Sequence, residues 1–552
     1  MNAKLATMTV VVGLLGTSPY QPRSCCDGGE VEACTDSAGE PTCDDPTTAP
    51  EPEPAPRVIA IAAGDEHSCA ISEEGELRCW GNGRYGRLGY GGMFGSICES
   101  SGDEFTCVSR PQCCVGDDET PTSEVPIVLL SAVARVSAGV EHTCAILDEG
   151  ELRCWGRNVT GQLGLAEGAF FYVGDDESPV AVPPIDVGAP ALDVAAGGAH
   201  TCAVLEGGAL RCWGSNERGL LGHGDTSFSA CAQFDDYKCF TDPACCVGDD
   251  ELPSAREPVE LGGAAISVAA SAVHTCAVLE GGALRCWGDD SFGQLGYGGA
   301  SGSLCLDAEM RFSCDADPSC CVGDDEVPAA VEPVSVGGAV VQVSTGSAYS
   351  SAGELMTAHT CAVLEGGALR CWGDNAYGQL GYGHTDSIGD DERPGDVDVV
   401  DVGGPVVQVA AGASHTCALL EGGDVRCWGD NSSGQLGLGH KFSVGDDEPP
   451  SAAPPVNLGG AATQIAVGGG PPFWYGGAPR FGHACALLED GAVRCWGGGT
   501  VNNGQLGYGD TGGISCLINS QVPTSFSCST ASPCCVGDEP DDMPPEPVDA
   551  FD

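Results

Sequence analysis

A chain of 552 residues with 79 acidic and 22 basic side chains carries a net charge of −57. Phosphate backbones and anionic lipid surfaces need Lys and Arg to displace their counterions, so nucleic acid and anionic membranes are excluded as partners. Aromatic residues make up 6% while Gly reaches 84, a balance that suits many short strands and tight turns better than helices.

The chain opens with Lys4, an apolar stretch from Leu5 to Leu15, and the small residues Gly16, Thr17 and Ser18. This pattern predicts a signal peptide over residues 1–18. Residues 19–56 read as an acidic linker rich in Cys and Pro, and residues 57–552 as one repeat domain. Pro22-Arg23-Ser24 before Cys25 makes a poor lipidation signal. No later segment offers the ~18 consecutive apolar residues of a membrane span. The 34 cysteines sort into regular sets, the mark of a disulfide framework formed in an oxidising compartment. An extracellular, periplasmic or cell-surface protein is expected.

From Arg57 onward one signature recurs seven times: His-x-Cys, an apolar run, then Cys-Trp-Gly. Its histidines are His67, His142, His200, His274, His359, His415 and His483; its tryptophans are Trp80, Trp155, Trp213, Trp287, Trp372, Trp428 and Trp496. Self-similarity of this kind marks a repeat architecture. In the third repeat four strand-like pieces are legible: Pro184–Val187, Ala191–Ala195, His200–Leu205 and Ala209–Trp213, with Glu206-Gly207-Gly208 as a tight hairpin loop. Four antiparallel strands repeated seven times predict an all-β, seven-bladed propeller with tryptophan as core between blades. The first repeat lacks a leading Pro-Val strand, and Glu546-Pro547-Val548 is a spare one at the far end. The ring is therefore expected to close by the C-terminal strand pairing into the first blade, Val548 beside Val58.

His-Thr-Cys-Ala-Val-Leu, then Gly-Gly-Ala-Leu-Arg-Cys-Trp-Gly, then Gly-Gln-Leu-Gly resembles the repeat of the regulator of chromosome condensation family. The resemblance covers Arg57 to the C-terminus and implies a seven-bladed propeller. The closing element stands at Gly161, Gly293, Gly378, Gly434 and Gly504, with variants at Gly86 and Gly219. Two cysteines per repeat and long acidic loops depart from the family pattern. The resemblance also implies guanine-nucleotide exchange, which conflicts with an exported, disulfide-bonded chain.

A Glu206-Gly207-Gly208 loop sets Cys202 opposite Cys212, where Cα atoms stand about 4.5–5.5 Å apart, within disulfide reach. Seven bridges are expected: Cys69–Cys79, Cys144–Cys154, Cys202–Cys212, Cys276–Cys286, Cys361–Cys371, Cys417–Cys427 and Cys485–Cys495. Four insertions each hold four more cysteines: Cys98, Cys107, Cys113 and Cys114; Cys231, Cys239, Cys245 and Cys246; Cys305, Cys314, Cys320 and Cys321; Cys516, Cys528, Cys534 and Cys535. Adjacent cysteines rarely bond each other, so two bridges per insertion are expected, each joining one of the first two to one of the pair. Four thiolates around a zinc ion fit the count but not an oxidising compartment.

Every long insertion falls in one of two loop classes that share a face of the disc, the side where repeat proteins commonly bind. Val-Gly-Asp-Asp-Glu and its variants recur there at Asp117, Asp175, Asp249, Asp324, Asp390, Asp446 and Asp538. Clustered carboxylates suit calcium, but the alternating spacing of a known calcium loop is absent, so a solvated acidic turn is the favoured reading and no cofactor is expected. Phe473, Trp474 and Tyr475, with Phe170, Phe171 and Tyr172 in another loop, are the aromatic binding candidates. Asn158-Val159-Thr160 and Asn431-Ser432-Ser433 match glycosylation sequons. Seven identical histidines read as structural. No catalytic constellation stands out, so a non-enzyme is expected: a monomeric scaffold presenting one elaborated face to a protein or glycan. An inhibitor similar to secreted β-lactamase inhibitory propellers and a propeller lyase are the alternatives.

Overall fold

The computed structural model describes residues 56–91, 114–115, 121, 124–166, 171–224, 245–298, 321–349, 355–469, 482–498, 506, 508, 548 and 550–551. They form seven antiparallel blades round a central axis. The first strand of each blade lines that axis: Val58–Ala63, Val133–Ala138, Ala191–Ala196, Ala265–Ala270, Val340–Tyr349, Val406–Ala411 and Ala462–Gly468. Six of the second strands begin at the signature histidine, the fifth blade's runs Leu355–Leu364 and contains His359, and the third strands carry the Cys-Trp-Gly signature. Cys202 pairs in register with Cys212, and Leu205 and Ala209 close the hairpin through a 2.8 Å bond. All seven hairpin pairs are disulfide-bonded, with Cα–Cα distances of 4.0 Å at Cys69–Cys79 and 4.1 Å at Cys202–Cys212.

The fourth strand differs from the sequence expectation. It comes in two pieces. Near one end, Val115, Val173, Val247 and Val322 pair with the glycine after each tryptophan, and Ile388 and Val444 make the same contact as single bridges. Near the other end, the Pro-Val segment hydrogen-bonds the start of the third strand of the preceding repeat: Val259 N–H donates to Leu210 O at 2.8 Å, and Val334 N–H to Leu284 O at 2.9 Å. Pro184–Val187 thus belongs to the blade before the one it was assigned to. Proline donates no N–H and is tolerated at an outer edge, where one side of the strand needs no partner. Arginine holds this edge in place: Arg153 donates to Pro179 O at 3.0 Å and Val182 O at 2.9 Å, and Arg211, Arg285, Arg370 and Arg426 repeat the clamp on Pro253, Pro328, Pro394 and Pro450.

Closure changes accordingly. Val548 bridges Val493 in the seventh blade, not Val58, through a 2.8 Å bond from Val548 N–H to Val493 O. The apparent missing and spare strands arise because each Pro-Val segment follows the blade it completes. The ring closes through side-chain contacts between the seventh and first blades. Gln464 donates to Ile61 O at 2.9 Å and accepts from Ile61 N–H at 3.0 Å, the bond pair that Gln342 makes to Val409 and Gln408 to Ile465. Phe551, buried, packs under the Arg78 guanidinium of the first blade at 5.4 Å.

Two relays stitch successive blades. The tryptophan Nε1–H donates to the carbonyl of the Gly-Gln-Leu-Gly glutamine position in the blade before, as from Trp213 to Gln162 O at 3.0 Å and from Trp372 to Gln294 O at 2.9 Å. Where threonine follows the histidine, it donates to the same carbonyl: Thr201 to Gln162 O at 2.8 Å, Thr360 to Gln294 O at 2.8 Å. That hydroxyl has one proton, so it accepts from the preceding blade's histidine, whose Nε2 must carry hydrogen. His142 meets Thr201 at 2.8 Å, His274 meets Thr360 at 2.8 Å, and His483 meets Ser68 at 2.8 Å across the closure. Burial drives His142, His200, His274, His359 and His415 down to about 3 and His483 to about 4, keeping them neutral.

Candidate interaction site on the loop face

The strands define two faces. Asn82 N–H donates to Glu66 O at 2.9 Å, and Ser215 N–H to Ala199 O at 2.9 Å. The ends of the third strands therefore stand beside the loops joining first to second strands, and the insertions leave from that side. Short turns such as Glu206-Gly207-Gly208 occupy the opposite side. The loop-face mouth of the axial channel, lined by Gly64, Gly139, Gly197, Ser271, Gly346 and Gly412 among others, holds a cavity of about 80 Å³. Pockets for drug-sized ligands run to roughly 300–1,000 Å³. The mouth has room for waters only.

Each acidic turn packs on the neighbouring blade. A Cβ at Gly86 would stand 2.5 Å from Asp175 N, and one at Gly174 would stand 2.5 Å from Gly86 O. Two glycines facing each other, with φ of 77° and 96°, let these backbones touch. Asp175, Asp249, Asp324, Asp390 and Asp446 each start an Asp-Asp-Glu cluster whose ligand-capable atoms lie within 4.8 Å of one another. These are the described residues that could hold a cation. Burial and then the adjoining aspartates push Glu177 and Glu326 up to about 8 and Glu251 to about 7. Asp117 and Asp538 lie outside the described residues.

The aromatic candidates separate. Phe473, Trp474, Tyr475 and Phe170 lie outside the described residues. Phe171 is 49% exposed. Tyr172 beside it stacks on Tyr85 of the first blade, with centroids 5.3 Å apart and planes 15° from parallel. Three guanidiniums surround Tyr85: Arg84 at 4.5 Å, Arg157 at 5.4 Å and Arg87 at 5.8 Å from its ring centroid. Arg87 stands where five other repeats place glutamine; it is buried and donates to Glu66 and to Val140 O, both at 3.0 Å. Arg157 pairs with Glu141 at 2.5 Å. Sequence reasoning named Tyr172 and Phe171 but missed Tyr85 and the arginines. The available signal was Gly-Arg-Leu-Gly at Gly86, a departure from the repeat that adds a cation to a chain poor in them. Among the insertion cysteines, Cys114, Cys245, Cys246 and Cys321 are disulfide-bonded and buried. The other insertion cysteines lie outside the described residues.

The repeat pattern described as "Regulator of chromosome condensation (RCC1) repeat" matches residues 58–87, 133–162, 192–220, 265–294, 406–435 and 481–505, and a second form matches 149–204 and 367–419. The Ultraviolet-B receptor UVR8 of Arabidopsis thaliana is 30% identical over 413 residues, covering 74% of this chain and 72% of the receptor. The E3 ubiquitin-protein ligase HERC2 of Homo sapiens is 28% identical over 69% of this chain, which spans only 6% of that ligase. Human WBSCR16 shares the fold alone, at 19% identity and a TM-score of 0.50 over 76% of this chain and 86% of its own. With these repeats, this relative and seven four-stranded blades, the chain belongs to the regulator of chromosome condensation (RCC1) repeat family.

Proposed function

We propose that this chain is an exported binding scaffold whose loop face receives a protein partner at the joint of the first two blades. The carrying observation is the exposed Phe171 beside the Tyr172–Tyr85 stack and its ring of arginines. Tyr and Arg dominate the energetics of protein interfaces, because a planar ring or guanidinium buries much area at little entropic cost. Arg87 and Arg157 are paired with Glu66 and Glu141, so the cluster offers a partner its ring and guanidinium planes more than net charge. Seven hairpin disulfides support an oxidising environment.

Capture from the extracellular fraction of its source, using the full chain as bait, tests the reading. A Tyr85→Ala, Phe171→Ala double variant should lose the captured protein while keeping the parent melting temperature within a few degrees. Replacing the four-Cys insertions by the short loop of the sixth repeat asks whether they frame the site. Equal capture by the parent and the double variant would remove the loop-face reading.

A further inference from the structure

Near its start each first strand carries a β-bulge, and the bulged residue falls outside the ladder. Val58 pairs with Ser72 and Ala60 with Ile71, skipping Ile59; Ala191 and Asp193 skip Leu192; Ala265 and Ser267 skip Ile266. The same shift skips Val341 and Val407. A residue released from the ladder is re-aimed by the bulge, and here it turns to solvent. Ile59, Leu192, Ile266, Val341 and Val407 are each 50–54% exposed. Scattered exposed aliphatics need no explanation. These five hold equivalent places on strands that line one axis, so they form a broken apolar ring at the turn-face opening.

An acidic rim adjoins the ring through backbone bonds. Glu206 N–H donates to Pro190 O at 2.8 Å, two residues before Leu192. The same bond joins Glu73 to Arg57, Glu280 to Ala264, Glu365 to Ala339 and Glu421 to Pro405, at 2.8–2.9 Å. Each of these acidic side chains is exposed. One carboxylate therefore stands beside each apolar position.

We propose that the turn face is a second docking surface, fitted to a protein segment that carries leucine-like side chains to the axis with lysine or arginine around them. Charge complementarity selects this occupant. A second copy of the chain would set one acidic rim against another, and an anionic membrane would be repelled. The surface is independent of the Tyr85 cluster, which lies on the other face.

The test uses the full chain and two labelled peptides of equal length and charge, one of leucine and lysine, the other of serine and lysine, read by fluorescence anisotropy at physiological salt. The parent should bind the leucine peptide at least about tenfold tighter, since burying even two leucines is worth more than the ~1.4 kcal/mol that tenfold represents. Combined Ile59→Ser, Leu192→Ser, Ile266→Ser, Val341→Ser and Val407→Ser should abolish that preference and leave the serine peptide unchanged. If this variant fails to fold, Leu192→Ser with Ile266→Ser should halve the preference or more. Glu206→Gln with Glu280→Gln and Glu365→Gln should weaken both peptides, whereas Phe171→Ala should change neither. Equal binding of both peptides by the parent overturns the proposal, as does undiminished preference in the serine variant. A parent dimer that the serine variant converts to monomer would assign the ring to self-association and also overturn it.

Discussion

At the joint between the sixth and seventh blades the histidine relay is broken. The seventh repeat reads His483-Ala484-Cys485, so no hydroxyl meets His415, and His415 Nε2 is buried without a partner. Gln435 O there accepts Trp496 Nε1–H alone, at 3.1 Å, where Gln379 O accepts both Trp428 and Thr416 at 2.9 Å. Ala484→Thr should restore the link. A buried N–H left unmade costs about 1–3 kcal/mol, and ordering the new side chain returns a fraction of that, so a gain of about 1–2 kcal/mol is expected. With unfolding entropy near 2.1 cal/mol/K per residue, a ring of this size rises by about 1 °C per kcal/mol. Scanning calorimetry under non-reducing conditions should thus show Tm about 1–2 °C higher. The complementary Thr201→Ala at an intact joint should cost about 1–3 kcal/mol, by stranding His142. The decisive arm is a double-mutant cycle: in a His415→Leu background Ala484→Thr should gain clearly less, keeping only its bond to Gln435 O. A gain that persists there undiminished, or a loss of stability on adding the hydroxyl, would refute the relay.

Asp290 stands where neighbouring repeats hold Asn216 and Asn375; it accepts Leu295 N–H at 2.8 Å, and burial followed by the charge of Asp289 holds its carboxyl well above the usual range. A raised folded pKa means stability that is full below about pH 4 and lost as pH rises towards that folded value, at up to about 1.4 kcal/mol per unit. Asp290→Asn should flatten this slope above about pH 4 and raise Tm at neutral pH; parallel Tm–pH curves for parent and variant would contradict it. Removing the Cys202–Cys212 bridge as the paired Ala variant should cost about 2–3 kcal/mol, and a non-reduced digest should contain all seven hairpin pairs as linked peptides. Truncation after Met543 removes the buried Val548, Ala550 and Phe551. It should cost several kcal/mol at ~1.5–3 kcal/mol for each large side chain, and an unchanged Tm would show the C-terminal segment to be unneeded for closure.

The hairpins were legible because their determinants are local. Cys202 and Cys212 are ten positions apart, and the glycine pair between them sets the register that opposes them. Seven such hairpins in series leave little choice but a propeller, and the crowding of insertions into two loop classes marked the loop face. The Pro-Val segments show where that reasoning stops. A short strand between two hairpins can complete the one before it or begin the one after. The choice lies with the unpaired edge of the third strand and with an arginine clamp that no spacing displays. The histidine relay, the Tyr85 cluster and the apolar ring are further from reach, because each joins residues that meet only when the ring is closed. His142 and Thr201 are 59 positions apart, and His483 and Ser68 are 415 apart. Along a single strand, nothing in Val58-Ile59-Ala60-Ile61 singles out Ile59; a bulge set by the neighbouring strand turns it outward. Sequence by itself determined the unit, its staples and the number of copies, since those follow from contacts a few residues long. Tertiary structure alone decided which blade owns each edge strand and which side chains the closed ring leaves exposed, since those depend on hydrogen bonds between strands that the chain brings together last.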